Sequence, residues 1–394
     1  MLNLFIFLSL AFLLTFLLGR LIEKIKVPWI FASLILGLLL AIYNPFSSIM
    51  SSPEFQFLAE LGMYFLLFII GFEIDLIKFR KQGKFILKAT FFIIFFEALF
   101  GTFLVHFVFG YSWLISFIVA LSFATVGEAI LIPILDEFKI VNTKLGQSII
   151  GIGTLDDIIE VFVLIVVMFL IGSRASFSSL HILFILIFLF ILFGLAFGLT
   201  KLKKEGKKFN FLSIENLFVL ILFILFFFLG IGEYAKATAI ASLLAGIALK
   251  TFLPKKRLEA VESEVRTMCY GFFAPVFFLW VGSSISIKYL VSFPLLILAV
   301  ILVSNGAKIL GSLIVGKKQL GTKQSILLGI GLSARFSTSL IITKILFEKN
   351  LIDVGLYSII VASSMVFTFL IPIIFSHLII KFVLKNMEKR KNVK

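Results

Sequence analysis

The residues best suited to chemistry lie in GIGTLDDIIE, residues 151–160, which places carboxylates inside apolar sequence. The stretch continues as VFVLIVVMFLIG, which offers no partner for a charge. Asp156 and Asp157 are consecutive, so on a helix their side chains diverge by about 100° and do not face each other. We expect one aspartate to face a water-filled cavity and the other a neighbouring helix. Glu160 shares their face of the helix.

Other ionisable side chains also stand inside apolar segments, namely Glu97, Glu128, Lys308 and Arg335. A charge at the bilayer centre costs about 2.5–3.5 kcal/mol on insertion scales, so each needs pairing, protonation or water. Because the intramembrane acids outnumber the bases, some carboxylates are expected to be neutral part of the time. A proton carrier requires a carboxylate of that kind.

Several pairings are hypotheses from these positions. Lys308 is the expected partner of the aspartate that faces a neighbouring helix, Asp156. Glu160 either extends a proton path or binds Arg335. Glu128 is a second candidate partner of Arg335. The alternative is a network of buried ion pairs that only joins helices, and Glu97 is assigned no role.

Composition places these residues in a membrane protein. The chain has 394 residues, 61% of them hydrophobic, with 51 Phe and a mean hydropathy of +1.18. Long apolar runs of this kind are typical of polytopic membrane proteins. The formal charge of +15 resides mostly in short connectors, which favours a topological role over nucleic-acid binding. A single cysteine, Cys269, excludes an internal disulfide, and no cofactor is expected.

Apolar runs separated by charges, Pro and Gly predict about 13 transmembrane helices, at about 20 residues per crossing. We predict them near 2–22, 28–44, 54–77, 84–109, 112–138, 143–172, 178–201, 213–231, 235–251, 262–286, 290–315, 320–346 and 353–384. Lys and Arg concentrate in alternate connectors, which predicts an N-terminus outside and a C-terminus inside the cytoplasmic membrane.

An internal repeat organises these helices. SLILGLLL at 33–40 resembles SLLAGIAL at 242–249 (242 − 33 = 209), and LLFIIGFEI at 66–74 resembles FFLWVGSSI at 277–285 (277 − 66 = 211). We therefore predict a first six-helix repeat at 1–172, a linker helix at 173–210 and a second, inverted repeat at 211–394. Inverted repeats are typical of secondary transporters.

Two helices in matching positions of the repeats are expected to be discontinuous. The helix at 112–138 is interrupted at Thr125–Glu128 and again at Pro133, and the helix at 320–346 carries Gly329, Gly331 and Arg335. Broken helices free backbone carbonyls that can replace the water shell of a cation. Glu128 and Arg335 are separated by nearly the repeat spacing (335 − 128 = 207), which predicts a salt bridge where the breaks cross.

The sequence resembles the monovalent cation:proton antiporter-2 family, over essentially the whole chain and matching the membrane domain only. GIGTLDD is similar to the paired-aspartate motif of its sodium/proton antiporters. The resemblance extends to VPWIFASLILGLLL, LGMYFLLFIIGFEIDL, FFAPVFFLWVGSSISI and NGAKILGSLIVG. It implies an all-α, 13-helix fold, with a mobile core near 84–172 and 290–384 and a dimerisation panel near 1–77 and 213–286.

The resemblance also implies roles for single residues. Asp157 matches the aspartate that binds the transported monovalent cation or a proton in competition. Asp156 matches its neighbour, Lys308 the basic residue that pairs with that neighbour, and Thr125 a supporting hydroxyl. A paired-aspartate motif goes with electrogenic exchange in the family. The chain departs from the family in lacking a glutamate after Arg335.

The resulting hypothesis is a homodimeric antiporter that exchanges Na⁺ or Li⁺ for H⁺ by alternating access and serves pH homeostasis. K⁺/H⁺ exchange is the alternative, and a sodium-coupled solute symporter is less favoured because no polar cluster suits an organic substrate. An intramembrane aspartyl protease is disfavoured because Asp156 and Asp157 are adjacent and no helix nearby offers an intramembrane aspartate as a partner. The protein is therefore not expected to be an enzyme. Its expected partners are monovalent cations, protons and membrane lipid.

Overall fold

The protein is described by a computed structural model. It describes residues 3–24, 28–73, 83–126, 131, 134–135, 138–153, 155–156, 159, 179–201, 213–235, 237–253, 255–335 and 337–384. Every regular element in these ranges is a helix. The expected all-α fold class is confirmed.

Seventeen helices are labelled in chain order. They are α1 Leu4–Glu23, α2 Phe31–Ile42, α3 Ser47–Met50, α4 Pro53–Glu73, α5 Lys84–Phe109, α6 Trp113–Phe123, α7 with helical residues 144–153, 155–156 and 159, α8 Ser179–Lys201, α9 Ile214–Tyr234, α10 Thr238–Phe252, α11 Lys255–Met268, α12 Ala274–Ser283, α13 Ile287–Ser292, α14 Pro294–Leu320, α15 Thr322–Gly331, α16 Ser337–Glu348 and α17 Val354–Ile379. A π-helical turn, Cys269–Phe273, joins α11 to α12, and another, Ile380–Leu384, follows α17.

Within the described ranges, seven helical stretches are long and apolar enough to cross a membrane. Four shorter apolar helices accompany them. Many of the apolar residues are exposed on α5 and α14, where Phe91, Phe107 and Leu302 are each more than 60% exposed. An apolar outer surface is what a lipid environment requires. The prediction of a polytopic membrane protein is confirmed.

Both predicted helix breaks are confirmed. Helix α6 ends at Phe123, and residues 124–126 are not helical. The second broken helix consists of α15 and α16, with residues 332–335 between them outside any helix. Glu128 and Pro133, which also mark the first break in the sequence, lie outside the described residues.

The chain forms two compact units. The first consists of residues 1–13, 44–74 and 164–280. In it α4 and α10 pack so closely that a Cβ atom at Gly71 would lie 2.2 Å from the carbonyl oxygen of Leu243. Small residues at such a crossing allow two membrane helices to approach.

The second unit consists of residues 14–43, 75–163 and 281–394 and contains both helix breaks. A buried apolar core joins α5, α7, α15 and α17, and it includes Ile93, Ile152, Leu328 and Phe367. The division of the chain into two six-helix repeats, with a core and a dimerisation panel, stays a prediction.

Two glycines fix the position of α14 inside the second unit. A Cβ atom at Gly311 would lie 2.8 Å from the Cα atom of Ile93 on α5. A Cβ atom at Gly329 of α15 would lie 2.6 Å from the Cα atom of Ile309 on α14. Helix α14 therefore packs closely against α5 at the first of these contacts and against α15, the first half of the second broken helix, at the other. Lys308 lies beside the second contact.

Candidate functional site

Lys308 lies at the middle of α14 and is fully buried. Its ammonium group donates to the carbonyl oxygen of Thr125 at 2.8 Å and to that of Leu332 at 2.7 Å. Thr125 belongs to the first helix break and Leu332 to the second. One cationic side chain therefore binds backbone oxygens that both breaks leave without a helical partner.

Glu97, at the middle of α5, is the buried anion beside this ammonium. Its Oε2 atom lies 3.4 Å from Lys308 Nζ, and its Oε1 atom lies 3.5 Å from Arg335 Nη2. Ser304, one turn before Lys308 on α14, donates to Glu97 Oε1 and accepts a hydrogen bond from Arg335 Nη2. A single carboxylate thus contacts both buried bases of the site.

Arg335 enters from the second helix break and is fully buried. Its guanidinium group lies over the ring of Phe367, 4.5 Å from the centroid. Its carbonyl oxygen accepts a hydrogen bond from Thr368 Oγ1 at 3.0 Å, which ties the break to α17. Packing and charge together hold this cation against Glu97.

Asp156 on α7 is linked directly to the first break. The side chain is 2% exposed, and its Oδ2 atom accepts a hydrogen bond from the backbone N–H of Val126 at 2.6 Å. Val126 directly follows Thr125, whose carbonyl oxygen binds Lys308, so Asp156 and Lys308 are both bound to the backbone of the first break. The neighbouring Thr125 hydroxyl is buried and has no hydrogen-bond partner in the described part of the chain.

Four of the expected site residues therefore come together in the second unit: Thr125, Asp156, Lys308 and Arg335. Three others, Asp157, Glu128 and Glu160, lie outside the described residues. The predicted pairings of Lys308 with Asp156 and of Arg335 with Glu128 or Glu160 stay predictions.

Glu97 is the residue that sequence reasoning missed. Each of the ion pairs described above for Lys308 and Arg335 is with this carboxylate. A signal for it was present, because Glu97 and Lys308 have opposite charges and are separated by the repeat spacing (308 − 97 = 211).

The ligands of the site are suited to a hard monovalent cation. They are backbone carbonyls at two helix breaks, a buried carboxylate and a buried hydroxyl, all of which are oxygen donors. Lys308 already presents one monovalent cation to two of these oxygens. The arrangement thus offers oxygen ligands for a desolvated cation beside a carboxylate that can accept a proton.

Comparison with known proteins agrees with this chemistry. Residues 10–381 match the family described as "Sodium/hydrogen exchanger, transmembrane". A Na⁺/H⁺ antiporter of Enterococcus hirae is 28% identical over 332 residues, covering 81% of this chain and 83% of that protein. Probable Na⁺/H⁺ antiporter 3 of Methanocaldococcus jannaschii is 27% identical, covering 98% of both chains.

Two further similarities concern ion choice and fold. The K⁺/H⁺ antiporter subunit KhtU of Bacillus subtilis is 26% identical, covering 82% of this chain and 81% of that protein. The solved structure of the sodium proton antiporter MjNhaP1 from M. jannaschii at pH 8 superposes with a TM-score of 0.63 at 19% identity, covering 95% of this chain and 97% of that one. The buried site at two helix breaks and the match over residues 10–381 lead to one conclusion: the chain belongs to the transmembrane sodium/hydrogen exchanger family, whose members are secondary transporters and not enzymes.

Proposed function

We propose that this protein exchanges Na⁺, or Li⁺, for H⁺ across the cytoplasmic membrane by alternating access. The observation that carries the proposal is the Lys308 ammonium held by carbonyl oxygens of both helix breaks. A centre that solvates one buried monovalent cation with backbone oxygens has the ligand chemistry to solvate another. Asp156 adds a carboxylate at the same break, and Thr125 adds a hydroxyl that has no hydrogen-bond partner among the described residues.

In this proposal Asp157 is the transport carboxylate. It holds either a proton or the transported cation, and competition for that one group couples the two fluxes. Asp156 and Thr125 contribute oxygens beside it, and Lys308 exchanges partners as the site changes state. Sodium is favoured as the cation because relatives over most of the chain are named Na⁺/H⁺ antiporters.

The proposal extends to accessory residues and to the organisation of the molecule. Glu128, Arg335 and Glu160 are proposed to balance charge around the crossing of the breaks. We further propose two inverted six-helix repeats, a homodimer, an N-terminus outside and a C-terminus inside. The pairing of adjacent aspartates supports electrogenic exchange.

The test uses purified protein in proteoliposomes loaded with a pH-sensitive dye. Na⁺, Li⁺ and K⁺ are added in turn, at a clamped membrane potential, to wild type and to Asp157→Asn. Glu264→Gln is the matched control, because Glu264 is an exposed carboxylate on α11. We expect Na⁺ or Li⁺ to drive proton efflux in wild type and in the Glu264→Gln control. We expect neither cation to drive proton efflux in Asp157→Asn.

A K⁺-driven signal without a Na⁺-driven one would replace this proposal by K⁺/H⁺ exchange. That second candidate is favoured by the similarity to KhtU. If no cation moves protons through folded protein, the antiporter function is wrong.

A further inference from the structure

Buried side chains of both charges surround the two helix breaks. Among the described residues, the ionisable side chains that face this centre are Glu97 on α5, Asp156 on α7, Lys308 on α14 and Arg335 in the second break. Two are acids and two are bases, and each is at most 2% exposed. Asp157, Glu128 and Glu160 are the acids of this region that lie outside the described residues.

Glu97 differs from the other carboxylates in its partners. It contacts both bases, and the hydroxyl of Ser304 bridges it to Arg335. The Lys308 ammonium contacts both Glu97 and the carbonyl oxygen of Thr125, and so it links this carboxylate to the first break. Glu97 therefore acts on the break through the bases and not as a ligand at the break.

We propose that Glu97 is a positioning residue that sets the electrostatic potential at the cation site by offsetting the charges of Lys308 and Arg335. The inference rests on the proposed antiport function. It gives a role in that function to Glu97, which lies on α5 and not on the helix of the paired aspartates. With Glu97 ionised, its negative charge offsets part of the positive charge of Lys308 and Arg335, which favours both cation and proton binding at the transport carboxylate. Without Glu97 the same carboxylate binds its cation with one negative charge fewer beside the two bases.

The size of this effect follows from Coulomb's law. A unit charge about 10 Å away, at an effective dielectric constant of about 20, changes the affinity for a monovalent cation by about tenfold. Sodium and protons carry the same charge, so both are bound less tightly when the anion is removed. This joint change distinguishes an electrostatic role from a loss of structure.

The variant Glu97→Gln removes the charge and keeps the shape of the side chain. Lys308 keeps two acceptors that do not depend on Glu97, the carbonyl oxygens of Thr125 and Leu332. We expect the KM for Na⁺ at alkaline pH to rise about tenfold. We also expect the pH at which the apparent KM doubles to fall by about one unit. Glu97→Asp, which retains the charge, is expected to recover most of both values.

Arg335→Gln supplies the opposite change at the same carboxylate. Removal of a positive charge predicts a lower KM for Na⁺ at alkaline pH and a higher pH at which the apparent KM doubles. The double variant Glu97→Gln with Arg335→Gln restores charge balance and is expected to return both quantities towards wild type. A structural role predicts instead that the double variant is worse than either single one.

The experiment measures Na⁺-driven proton efflux from proteoliposomes between pH 6 and 9 for wild type and these variants, with Asp157→Asn beside them. Opposite shifts in the two single variants and recovery in the double support the role of Glu97. Shifts of the same sign, or none, overturn it while wild-type exchange is intact. If Glu97→Gln does not fold, Arg335→Gln alone decides, because an unchanged profile there contradicts the proposal. Absence of exchange in wild type would overturn the proposed function instead.

Discussion

Lys308 carries three ammonium protons and faces three oxygen acceptors: the carbonyls of Thr125 and Leu332 and the Glu97 carboxylate. A fully buried lysine is costly unless it is paired and hydrogen-bonded in this way. Arginine would not replace it, because a planar guanidinium cannot direct its protons to three separate points around one atom. The residue type and its surroundings are therefore matched.

Lys308→Met is expected to destabilise the protein by about 3–5 kcal/mol, because it leaves a buried carboxylate without one of its bases. The measurement is thermal unfolding in detergent. Lys318→Met is the control, since Lys318 is exposed on the same helix, and it is expected to change the Tm little. Equal Tm values for the two variants would contradict the buried ion pair.

Thr125→Val is expected to separate binding from stability. The Thr125 hydroxyl has no hydrogen-bond partner among the described residues, so its removal should leave the Tm unchanged. If the hydroxyl binds the transported cation, the KM for Na⁺ rises about tenfold, as for a hydrogen bond to a charged group. Thr368→Val is the contrasting variant, because that hydroxyl donates to the Arg335 carbonyl and its loss should lower the Tm. An unchanged KM in Thr125→Val would remove Thr125 from the site.

At the scale of elements, the site depends on how closely the helices beside it approach. The crossing of α14 and α15 is possible because Gly329 has no side chain where it meets Ile309. This crossing sets the distance from Lys308 on α14 to Leu332, just beyond the end of α15. A change of spacing here alters the site without altering any charged residue.

Gly329→Ala is expected to destabilise the protein by about 1–3 kcal/mol through overpacking and to lower the rate of exchange. Gly306→Ala on α14 is the matched control, since a Cβ atom there meets nothing within 4 Å. That substitution should be neutral or stabilise the helix by about 0.5–1 kcal/mol. Thermal unfolding and proton efflux of both variants test the expectation, which fails if they behave alike.

The helix breaks could be predicted because their cause is visible in the sequence: glycine, threonine and serine residues interrupt apolar runs at Thr125 and near Arg335. The partners of Lys308 could not be derived in the same way. Helical periodicity tells which residues share a face, but not which neighbouring helix that face meets. The contact of α5 with α14, which brings Glu97 to Lys308, is a property of the packed unit. Only the repeat spacing carried information about it.

At the scale of the whole molecule, the proposed electrogenic exchange predicts that transport depends on the membrane potential. Moving one net charge across 100 mV changes the free energy of transport by about 2.3 kcal/mol. At a fixed pH gradient, transport stops at a certain Na⁺ gradient. We expect a potential of about 60 mV to change that balancing Na⁺ gradient about tenfold. The measurement is the Na⁺ concentration giving zero net proton flux in proteoliposomes clamped with K⁺ and valinomycin. A balance point independent of potential would assign electroneutral exchange.

The contact between Glu97 and Lys308 also concerns the synthesis of the protein. The two residues are 211 positions apart (308 − 97 = 211). At about 5–20 residues per second, roughly 10–40 s pass between the appearance of the acid and of its base. During that interval α5 must be housed in the membrane with its carboxyl group protonated or kept near water. Glu97 therefore has no lysine partner until the second half of the chain has been synthesised. A ribosome that stalls between the two residues leaves α5 in the membrane with its central carboxyl group lacking Lys308.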